Sequence, residues 1–496
     1  MTKDSIRLRH SGFIIFAAKI LSVVTGIIFT LLITRNTDQA GYGVWNNVFD
    51  VTAYFTIFAG ALPFWIVRFV ARGKKGAVKT GLLSNLIVAL IATAFYLTLV
   101  STITTALHVG QEYLALYFIA STQILEAYLL TTFEATLQAK KPQAVGYGLL
   151  IEEACKVVIA YILIVQFHEP LLGAIIALVS AVLIQIIYYL KLLSADLKIE
   201  TRWEYVKEWL KGSTGYIYYV VGGQISAYVF IFLFAYGGKD ARGNYGAAAT
   251  IANIITYSFF LSYALYPRLL DKSSTKDITT SLKMVLIFAI PMTVGSIAMS
   301  DSFIGSLNET YAGAAPVLVV LAVDALVLTL FQFFTSVLFG VEKFDQEAKI
   351  SFKQLAKSRM FKVFSLDYVR AAITLPTAFY ILTVAQTDPL HSALYVSVIK
   401  LSASLATLLI LCFIVRGMIM MDIPWKSIAK YILGSTVMAA ILLIIPHSTR
   451  LYETLSLTVL GTVVYITLLS IIDKEARSLF NSIWQEIKSM TKRTAT

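Results

Sequence analysis

The chain has 496 residues, of which 58% are hydrophobic and only 14% are charged, and its mean hydropathy is +0.75. Soluble domains carry charge on about 25% of their residues, so this composition excludes an ordinary soluble protein and indicates a membrane protein. The formal net charge of +12 does not indicate a nucleic-acid-binding face, because the basic residues are spread over eight short connections. We interpret these residues as topology signals that also contact anionic lipid.

Apolar stretches long enough to cross a bilayer recur along the whole chain. A helix needs about 20 mainly apolar residues to span the hydrocarbon. The sequence predicts 14 such spans, at residues 12–34, 42–70, 81–105, 113–138, 145–166, 169–191, 213–236, 245–270, 282–300, 314–340, 368–386, 389–416, 426–446 and 454–472.

The Lys and Arg residues alternate between the connections that join these spans. Of the 41, 34 lie in or beside every second connection, and the other connections hold only Arg35, Lys239, Arg242 and Arg450. Cytoplasmic connections retain Lys and Arg, whereas translocated ones lack them. The sequence therefore predicts an all-α polytopic protein of the cell membrane, with about 14 transmembrane helices and both termini in the cytoplasm.

A weak internal repeat connects the two halves of the chain. Asp38-Gln-Ala-Gly-Tyr-Gly43 follows the first span, and Asp240-Ala-Arg-Gly-Asn-Tyr-Gly246 follows the seventh. A proline, Pro63 or Pro267, lies about 20 residues beyond each motif. A repeat of six helices makes the two copies parallel in topology. We therefore predict two six-helix lobes related by a pseudo-two-fold axis, at 1–191 and 213–416, with a cytoplasmic linker at 192–212 between them and an appended helix pair at 426–472.

Two cytoplasmic segments combine an apolar helical face with basic residues. In residues 343–364, Phe352 and its apolar neighbours oppose Lys353, and the tail at 474–496 combines Trp484 with Lys488. Both patterns predict helices that lie in the headgroup layer, where they either anchor the protein or dock a partner.

Three stretches of this sequence resemble the multidrug/oligosaccharidyl-lipid/polysaccharide (MOP) exporter superfamily. They are the opening helix from Gly12 to Thr34, the Asp-Gln-Ala-Gly-Tyr-Gly turn, and Leu-Pro-Phe-Trp-Ile-Val-Arg-Phe-Val-Ala-Arg-Gly-Lys-Lys at 62–75. The pattern covers spans 1 to 12 and is most similar to the polysaccharide-biosynthesis flippases that turn over lipid-linked oligosaccharides. The resemblance implies a central cavity between two lobes, open to either side in turn, and a lipid-linked sugar as substrate. The predicted number of spans, fourteen rather than twelve, differs from that of the drug-exporter branch and is compatible with the lipid-flippase branches.

Three cations lie inside predicted spans, where charge is costly unless it faces a bundle interior or an aqueous cavity. Lys156 and Lys400 lie about 11 residues into their spans, near the midplane, and Lys19 lies about seven residues from the cytoplasmic end. Each lysine also has a structural alternative: Lys19 snorkels to the headgroups, Lys156 pairs with Glu152 at i, i+4, and Lys400 pairs with Asp324. Lys400 is the strongest candidate for substrate contact, because no acidic residue lies within four positions of it.

The wider candidate site follows from the charge and hydrogen-bonding capacity of a phosphorylated lipid-linked sugar. Arg35 and Arg68, at opposite ends of the first two spans, are placed to attract an anionic head group. Amides in four spans are candidates for binding sugar hydroxyls, although interhelical hydrogen bonds explain each of them equally well: Gln123, Gln224, Asn253 and Gln332. Three acidic residues are candidates for ion coupling: Asp50, Glu126 and Asp324.

The sequence contains no G-x-x-x-x-G-K-[ST], H-E-x-x-H or D-x-D pattern, so we expect neither enzymatic activity nor a cofactor or metal site. We expect a flippase that moves a polyprenyl-(pyro)phosphate-linked oligosaccharide across the cytoplasmic membrane by alternating access. Its expected partners are the lipid-linked glycan and membrane lipids, with enzymes of glycan assembly as candidates, no nucleic acid, and a monomer as the working unit.

Two alternatives stay open. The first is a cation-coupled multidrug exporter of the same superfamily, which would need a net acidic cavity. The deepest charges instead balance at three cations and three anions. The second is a membrane glycosyltransferase that uses a lipid-linked donor, which would need acidic metal-binding residues on a sizeable outer loop.

Overall fold

A computed structural model describes residues 3–262, 275–342, 358–385, 388–419, 422–478 and 480–481. Every regular element within these ranges is helical, which confirms the predicted all-α class. The α-helices, in chain order, are α1 (Lys3–Asn36), α2 (Gln39–Thr52), α3 (Pro63–Ala71), α4 (Ala77–Ala106), α5 (Leu114–Lys140), α6 (Pro142–Ala160), α7 (Pro170–Leu193), α8 (Glu204–Gly212), α9 (Thr214–Ala227), α10 (Val229–Gly237), α11 (Lys239–Thr256), α12 (Thr275–Ala298), α13 (Ser300–Leu307), α14 (Ala315–Glu342), α15 (Arg359–Phe364), α16 (Leu366–Val384), α17 (Pro389–Arg416), α18 (Trp425–Ile444) and α19 (Leu451–Ile472).

Nine helical stretches within the described ranges are long and apolar enough to cross a membrane. They are Ala77–Ala106, Gln111–Lys140, Pro170–Leu193, Thr214–Gly237, Thr275–Ala298, Glu309–Val341, Pro389–Arg416, Trp425–Ile444 and Leu451–Ile472. Each of the other five predicted spans contains at least part of a helix. The chain therefore has the helices of a multi-pass membrane protein. The total of 14 transmembrane helices and the cytoplasmic position of both termini stay predictions.

Parts of several predicted features lie outside the described residues, including residues 263–270 of the predicted span 245–270 and residue 386 of the span 368–386. Parts of three others lie outside them as well. They are residues 343–357 of the first amphipathic segment, residues 482–496 of the tail, and Pro267 of the second repeat.

The chain forms two compact units. The first comprises Met1–Gly246 with Glu347–Val396, and the second comprises Ala247–Gln346 with Ser397–Thr496. The first unit contains α9, α10 and α16 in addition to the predicted N-lobe, because α16 packs against both α9 and α10. The two-lobe arrangement itself stays a prediction.

The predicted span at 42–70 is not one continuous helix. It is interrupted between Thr52, where α2 ends, and Pro63, which begins α3 at a position where the missing proline N–H is harmless. Side chains of neighbouring segments donate to the carbonyl oxygens that the interruption opens: Tyr128 Oη to Phe55 at 3.1 Å, Asn85 Nδ2 to Ala59 at 3.2 Å, and Ser213 Oγ to Ala61 at 3.0 Å. Irregular backbone at membrane depth needs such internal partners, because hydrocarbon supplies none.

The predicted linker at 192–212 contains α8, which is packed against the first unit. Trp209 of α8 is fully buried, and its ring centroid lies 5.4 Å from that of Phe69 on α3. The backbone N–H of Arg202 donates to Thr80 Oγ1 at 2.8 Å, which ties the approach to α8 onto α4. These contacts make the linker part of the first unit's core.

In the second unit the appended pair, α18 and α19, packs against α12. Tyr465 Oη of α19 donates to the carbonyl oxygen of Ile287 on α12 at 2.8 Å. Gly434 and Gly461 leave room for the close approach of the pair: a Cβ on Gly461 would lie 3.0 Å from Leu442. Small residues at such crossings let transmembrane helices pack closely.

The two repeat motifs pack against each other within the first unit. Asp38 caps α2, since its Oδ1 accepts from the N–H of Gly41 at 2.8 Å. A Cβ on Gly43 would lie 1.9 Å from the carbonyl oxygen of Lys239, and a Cβ on Gly243 would lie 2.1 Å from that of Gln39. The contact is reciprocal, so the start of α2 and the start of α11 cross backbone to backbone at the two glycines.

Gly43→Ala should therefore destabilise the protein. Overpacking a close contact costs about 1–3 kcal/mol or more, and the colliding atom here is a backbone oxygen that cannot rotate away. The midpoint of thermal unfolding of the detergent-purified protein should fall.

Gly26→Ala is the matched control, because a Cβ there would meet no atom within 4 Å. This variant should unfold at or above the wild-type temperature, since alanine favours a helix over glycine. Equal unfolding temperatures for Gly43→Ala and wild type would contradict the backbone crossing.

Candidate functional site

Close to the glycine crossing, Asp50 and Arg242 form a bidentate ion pair. Arg242 Nε donates to Asp50 Oδ2 at 2.6 Å, and Nη2 donates to Oδ1 at 2.9 Å. Arg242 is only 6% exposed. This fork-to-carboxylate geometry is the strongest form of ion pair in proteins, and the crossing of α2 and α11 places the two side chains within its reach.

Aromatic rings and polar groups surround this pair. The guanidinium of Arg242 lies 4.9 Å from the ring centroid of Phe230 and 5.8 Å from that of Tyr245. One turn before Asp50, the buried Asn47 accepts a hydrogen bond from Tyr117 Oη at 2.6 Å. One turn after it, Tyr54 Oη donates to the carbonyl oxygen of Gln224 at 3.2 Å.

Sequence reasoning missed Arg242, which was counted among the residues of an outer connection. The span was predicted to begin at residue 245, whereas α11 begins at Lys239 and holds Arg242 in its first turn. The repeat itself contained the missing signal. Asp240 lies in the first turn of α11, and an acidic residue before an apolar run favours a helix that starts several residues earlier than that run.

A second charged cluster joins α1 and α6 around Lys156, which is 8% exposed. Lys156 Nζ lies 3.3 Å from Glu152 Oε1 and 2.7 Å from Glu153 Oε2. Thr25 Oγ1 of α1 donates to Glu153 Oε2 at 2.5 Å. The pair with Glu152, offered as the structural alternative for Lys156, is present, and Glu153 is the nearer partner.

This cluster contains more carboxylates than ammonium groups. Lys19 is exposed, and its charge acts on the carboxyl groups of both Glu134 and Glu152. Together with Lys156 and Glu153, the cluster has three carboxyl groups and two ammonium groups. With one carboxyl group in excess of the ammonium groups, the cluster can accept either a proton or an additional cation.

The second unit contains the remaining deep candidates. Lys400 is half-buried in α17, a helix with a mean hydropathy of 2.4 over its candidate span. Asp324 lies in α14 and is 3% exposed, and its Oδ1 has no hydrogen-bond partner in the part of the chain that the structure describes. A buried carboxylate oxygen without a donor is costly and points to a polar ligand or a proton at that atom.

The other predicted site residues lie in different environments. Arg68 stacks on Phe64, with its Cζ 3.8 Å from the ring centroid, and Glu126 is buried in α5. Gln123 is half-buried, and its Nε2 has no hydrogen-bond partner among the described residues. Gln224 is also half-buried, whereas three other candidates are exposed: Arg35, Asn253 and Gln332.

The fold and these clusters define a polytopic α-helical membrane protein with ionisable groups inside its helices. Among solved structures, the chain is similar to the lipid II flippase MurJ in an inward closed conformation, with 14% identity, coverage of 93% of this chain and 99% of that one, and a TM-score of 0.63. It is also similar to an inward-facing multidrug resistance MATE family transporter of the MOP superfamily, at 11% identity, 80% and 95% coverage, and a TM-score of 0.62. A MATE in the straight conformation gives 13% identity, 83% and 96% coverage, and a TM-score of 0.54.

At these identities the likeness establishes a shared fold. The sequence matches no protein-family model and no curated protein. The chain therefore shares its fold with these transporters.

Removing one partner of the Asp50–Arg242 pair should strongly destabilise the protein. Asp50→Asn leaves a buried guanidinium without a counter-charge, which costs about 3–5 kcal/mol. The thermal unfolding midpoint should fall clearly, and adding Arg242→Gln to the same chain should recover part of the loss.

Arg450→Gln removes an exposed arginine whose ion pair with Glu453 lies in solvent, so its unfolding temperature should match wild type. Additive losses in the Asp50→Asn/Arg242→Gln double variant would show that the two side chains are not coupled.

Proposed function

We propose that this protein is a membrane transporter that moves a polyprenyl-(pyro)phosphate-linked oligosaccharide across the cytoplasmic membrane by alternating access. The observation that carries the proposal is the ammonium group of Lys400, half-buried within one of the most apolar helices of the chain. Ionisable residues at such depth mark substrate or ion pathways.

The chemistry of the substrate explains why a cation is needed there. A phosphate or pyrophosphate must leave water and pass about 30 Å of hydrocarbon. An isolated anion in that medium is unstable, and a nearby ammonium group offsets the lost hydration. Lys400 supplies such a charge within α17.

The likeness to the lipid II flippase MurJ supports this proposal, because it extends over 93% of the chain. The interrupted span at 53–62 adds support of a different kind. Discontinuous transmembrane segments are typical of substrate and ion sites in transporters, since their open backbone groups line polar passages.

We propose that coupling to an ion gradient depends on buried carboxyl groups that form no ion pair with a cation among the described residues. Asp50 is bound on both oxygens by Arg242, so its charge is already compensated. Asp324, with a buried oxygen that lacks a hydrogen-bond donor within the described ranges, is the better carrier, and the buried Glu126 is the next.

One observation favours the second candidate, a cation-coupled exporter of organic cations. The cluster around Lys156 has more carboxyl than ammonium groups, which suits a cationic ligand. We rank this function second, because part of that cluster is already occupied by the ion pairs of Lys156.

Lys400→Ala should abolish transport while the protein still inserts and folds. In a strain that lacks the gene, the lipid-linked glycan substrate should accumulate on the cytoplasmic face, and the wild-type gene should relieve this accumulation. The Lys400→Ala gene should not relieve it, because the anionic head group loses its counter-charge in the membrane.

Lys276→Ala, which removes an exposed lysine at the start of α12, should complement as well as wild type. Normal glycan export with Lys400→Ala would disprove the role of this lysine. If the deletion strain instead became sensitive to organic cations and accumulated no lipid-linked glycan, the protein would be an exporter of organic cations.

Exchanging charges between Glu152 and Lys156 tests whether Lys156 acts beyond its ion pairs. The double variant Glu152→Lys/Lys156→Glu keeps an i, i+4 pair of opposite charge but puts the exchanged carboxylate beside Glu153. The protein should therefore still fold, with a lower unfolding temperature than wild type. Transport should stay lost if the ammonium group must occupy position 156 to meet the substrate. Recovery of glycan export in the double variant would show that the lysine has only a structural role.

A further inference from the structure

The second unit contains a basic cleft of about 710 Å³ where α12, α18 and α19 approach the segment that follows α19. Four lysines line this cleft: Lys283, Lys426, Lys430 and Lys474. All four lysines lie on the side of the membrane that the sequence predicts to be cytoplasmic. The charges of the proposed transport site lie elsewhere in the chain, so the cleft is not part of that site.

Two of these lysines are held by acidic neighbours. Lys430 Nζ lies 3.0 Å from Asp473 Oδ2, and Lys283 Nζ lies 2.6 Å from Glu475 Oε2. Asp473 is itself fixed, because its Oδ1 accepts from the N–H groups of Glu475 and Ala476 at 2.9 and 3.0 Å. The wall of the cleft is therefore an ordered structure rather than a set of loose side chains.

Asp473 stays ionised at neutral pH and keeps Lys430 in place. Burial alone would raise the pKa of this carboxyl group, but the two backbone donors and the Lys430 ammonium hold it below its usual value. The remaining lysines, Lys426 and Lys474, are exposed, and the six ionisable groups of the cleft sum to a charge of +2. The cleft thus has an excess of positive charge that an anion can satisfy.

The rim of the cleft is apolar on the side where the membrane-spanning helices begin. Trp425, the first residue of α18, is 69% exposed, and Ile423 and Ile472 are exposed beside it. Exposed tryptophans next to an apolar span are typical of the membrane–water interface. A soluble anion would gain nothing from these apolar side chains, whereas a lipid would place its chains along them.

The end of the chain does not supply the missing negative charge. Residues 479–496 carry one acidic residue, Glu486, against Lys488, Lys492 and Arg493. Residues 479–496 therefore do not offset the positive charge of the cleft.

We propose that this cleft binds the phosphate head group of an anionic phospholipid, with Lys426 and Lys474 contacting the phosphate and Trp425 lying at the level of the ester groups. The N-terminal end of α18 adds its positive dipole to the same side. Basic pockets between transmembrane helices on the cytoplasmic side are suited to such head groups.

Quenching of Trp425 fluorescence tests this site in the intact protein. The protein is reconstituted into phosphatidylcholine vesicles that contain a minor fraction of lipid with brominated chains, either phosphatidylglycerol or phosphatidylcholine. The difference between wild type and Trp425→Phe isolates the signal of Trp425 from the other five tryptophans. Brominated phosphatidylglycerol should quench this signal more strongly than brominated phosphatidylcholine at the same fraction.

Lys426→Gln/Lys474→Gln should lose this selectivity, with about a fivefold loss of apparent affinity for each lysine removed. The matched control is Lys207→Gln/Lys211→Gln, which removes two exposed lysines from α8 and should retain full selectivity. High salt should weaken the selective quenching of the wild-type protein without any mutation.

Three results would overturn the proposal. The first is equal quenching by the two brominated lipids in wild type. The second is unchanged selectivity in Lys426→Gln/Lys474→Gln. The third is displacement of the brominated lipid by inorganic phosphate at equal ionic strength, which would identify a site for a soluble anion.

Discussion

The ion pair between Asp50 and Arg242 joins residues 192 positions apart at a place where two helices cross on glycine. Hydrocarbon cannot hydrate either charge, so the protein itself must bring the partners together. The bidentate geometry requires close backbones, and only glycine at positions 43 and 243 leaves room for the opposing carbonyl oxygens. The close packing of the two repeat motifs therefore also allows the two buried charges to neutralise each other.

The same constraint explains the polar side chains around the interrupted span at 53–62. Carbonyl oxygens at membrane depth need donors. Tyr128 of α5, Asn85 of α4 and Ser213, between α8 and α9, provide them. These donors connect the interruption to the rest of the first unit. These hydrogen bonds allow an irregular segment to be stable beside regular helices. The backbone carbonyl groups of residues 53–62 then form a polar region that the apolar sequence does not predict.

Charge placement differs between the deep and the shallow parts of the chain. In the helices, Lys156 and Arg242 each meet carboxylates at close range, whereas the shallow cleft near Asp473 keeps two exposed lysines in addition to its ion pairs. Deep charge must be balanced within the protein, but shallow charge can be balanced by lipid or solvent. Lys400 is half-buried and Asp324 is buried, and we propose both as groups that act in transport.

The sequence by itself determined the helical class and the places of nine apolar spans, and it offered the pair between Lys156 and Glu152 as one of two alternatives. These features depend on local spacing: about 20 apolar residues for a span, and four positions for two side chains on one helix face. Sequence also identified the repeat motifs, but it showed neither that they meet nor that Arg242 lies inside a helix.

Only the tertiary structure decided that Asp50 is neutralised, that Glu153 is the nearer partner of Lys156, and that α8 packs as core through Trp209. The physical reason is the range of the interactions. Helix formation and hydropathy act within a few turns of chain, whereas a charge in a low-dielectric interior is stabilised by whatever side chain the fold brings within about 4 Å of it, however distant in sequence.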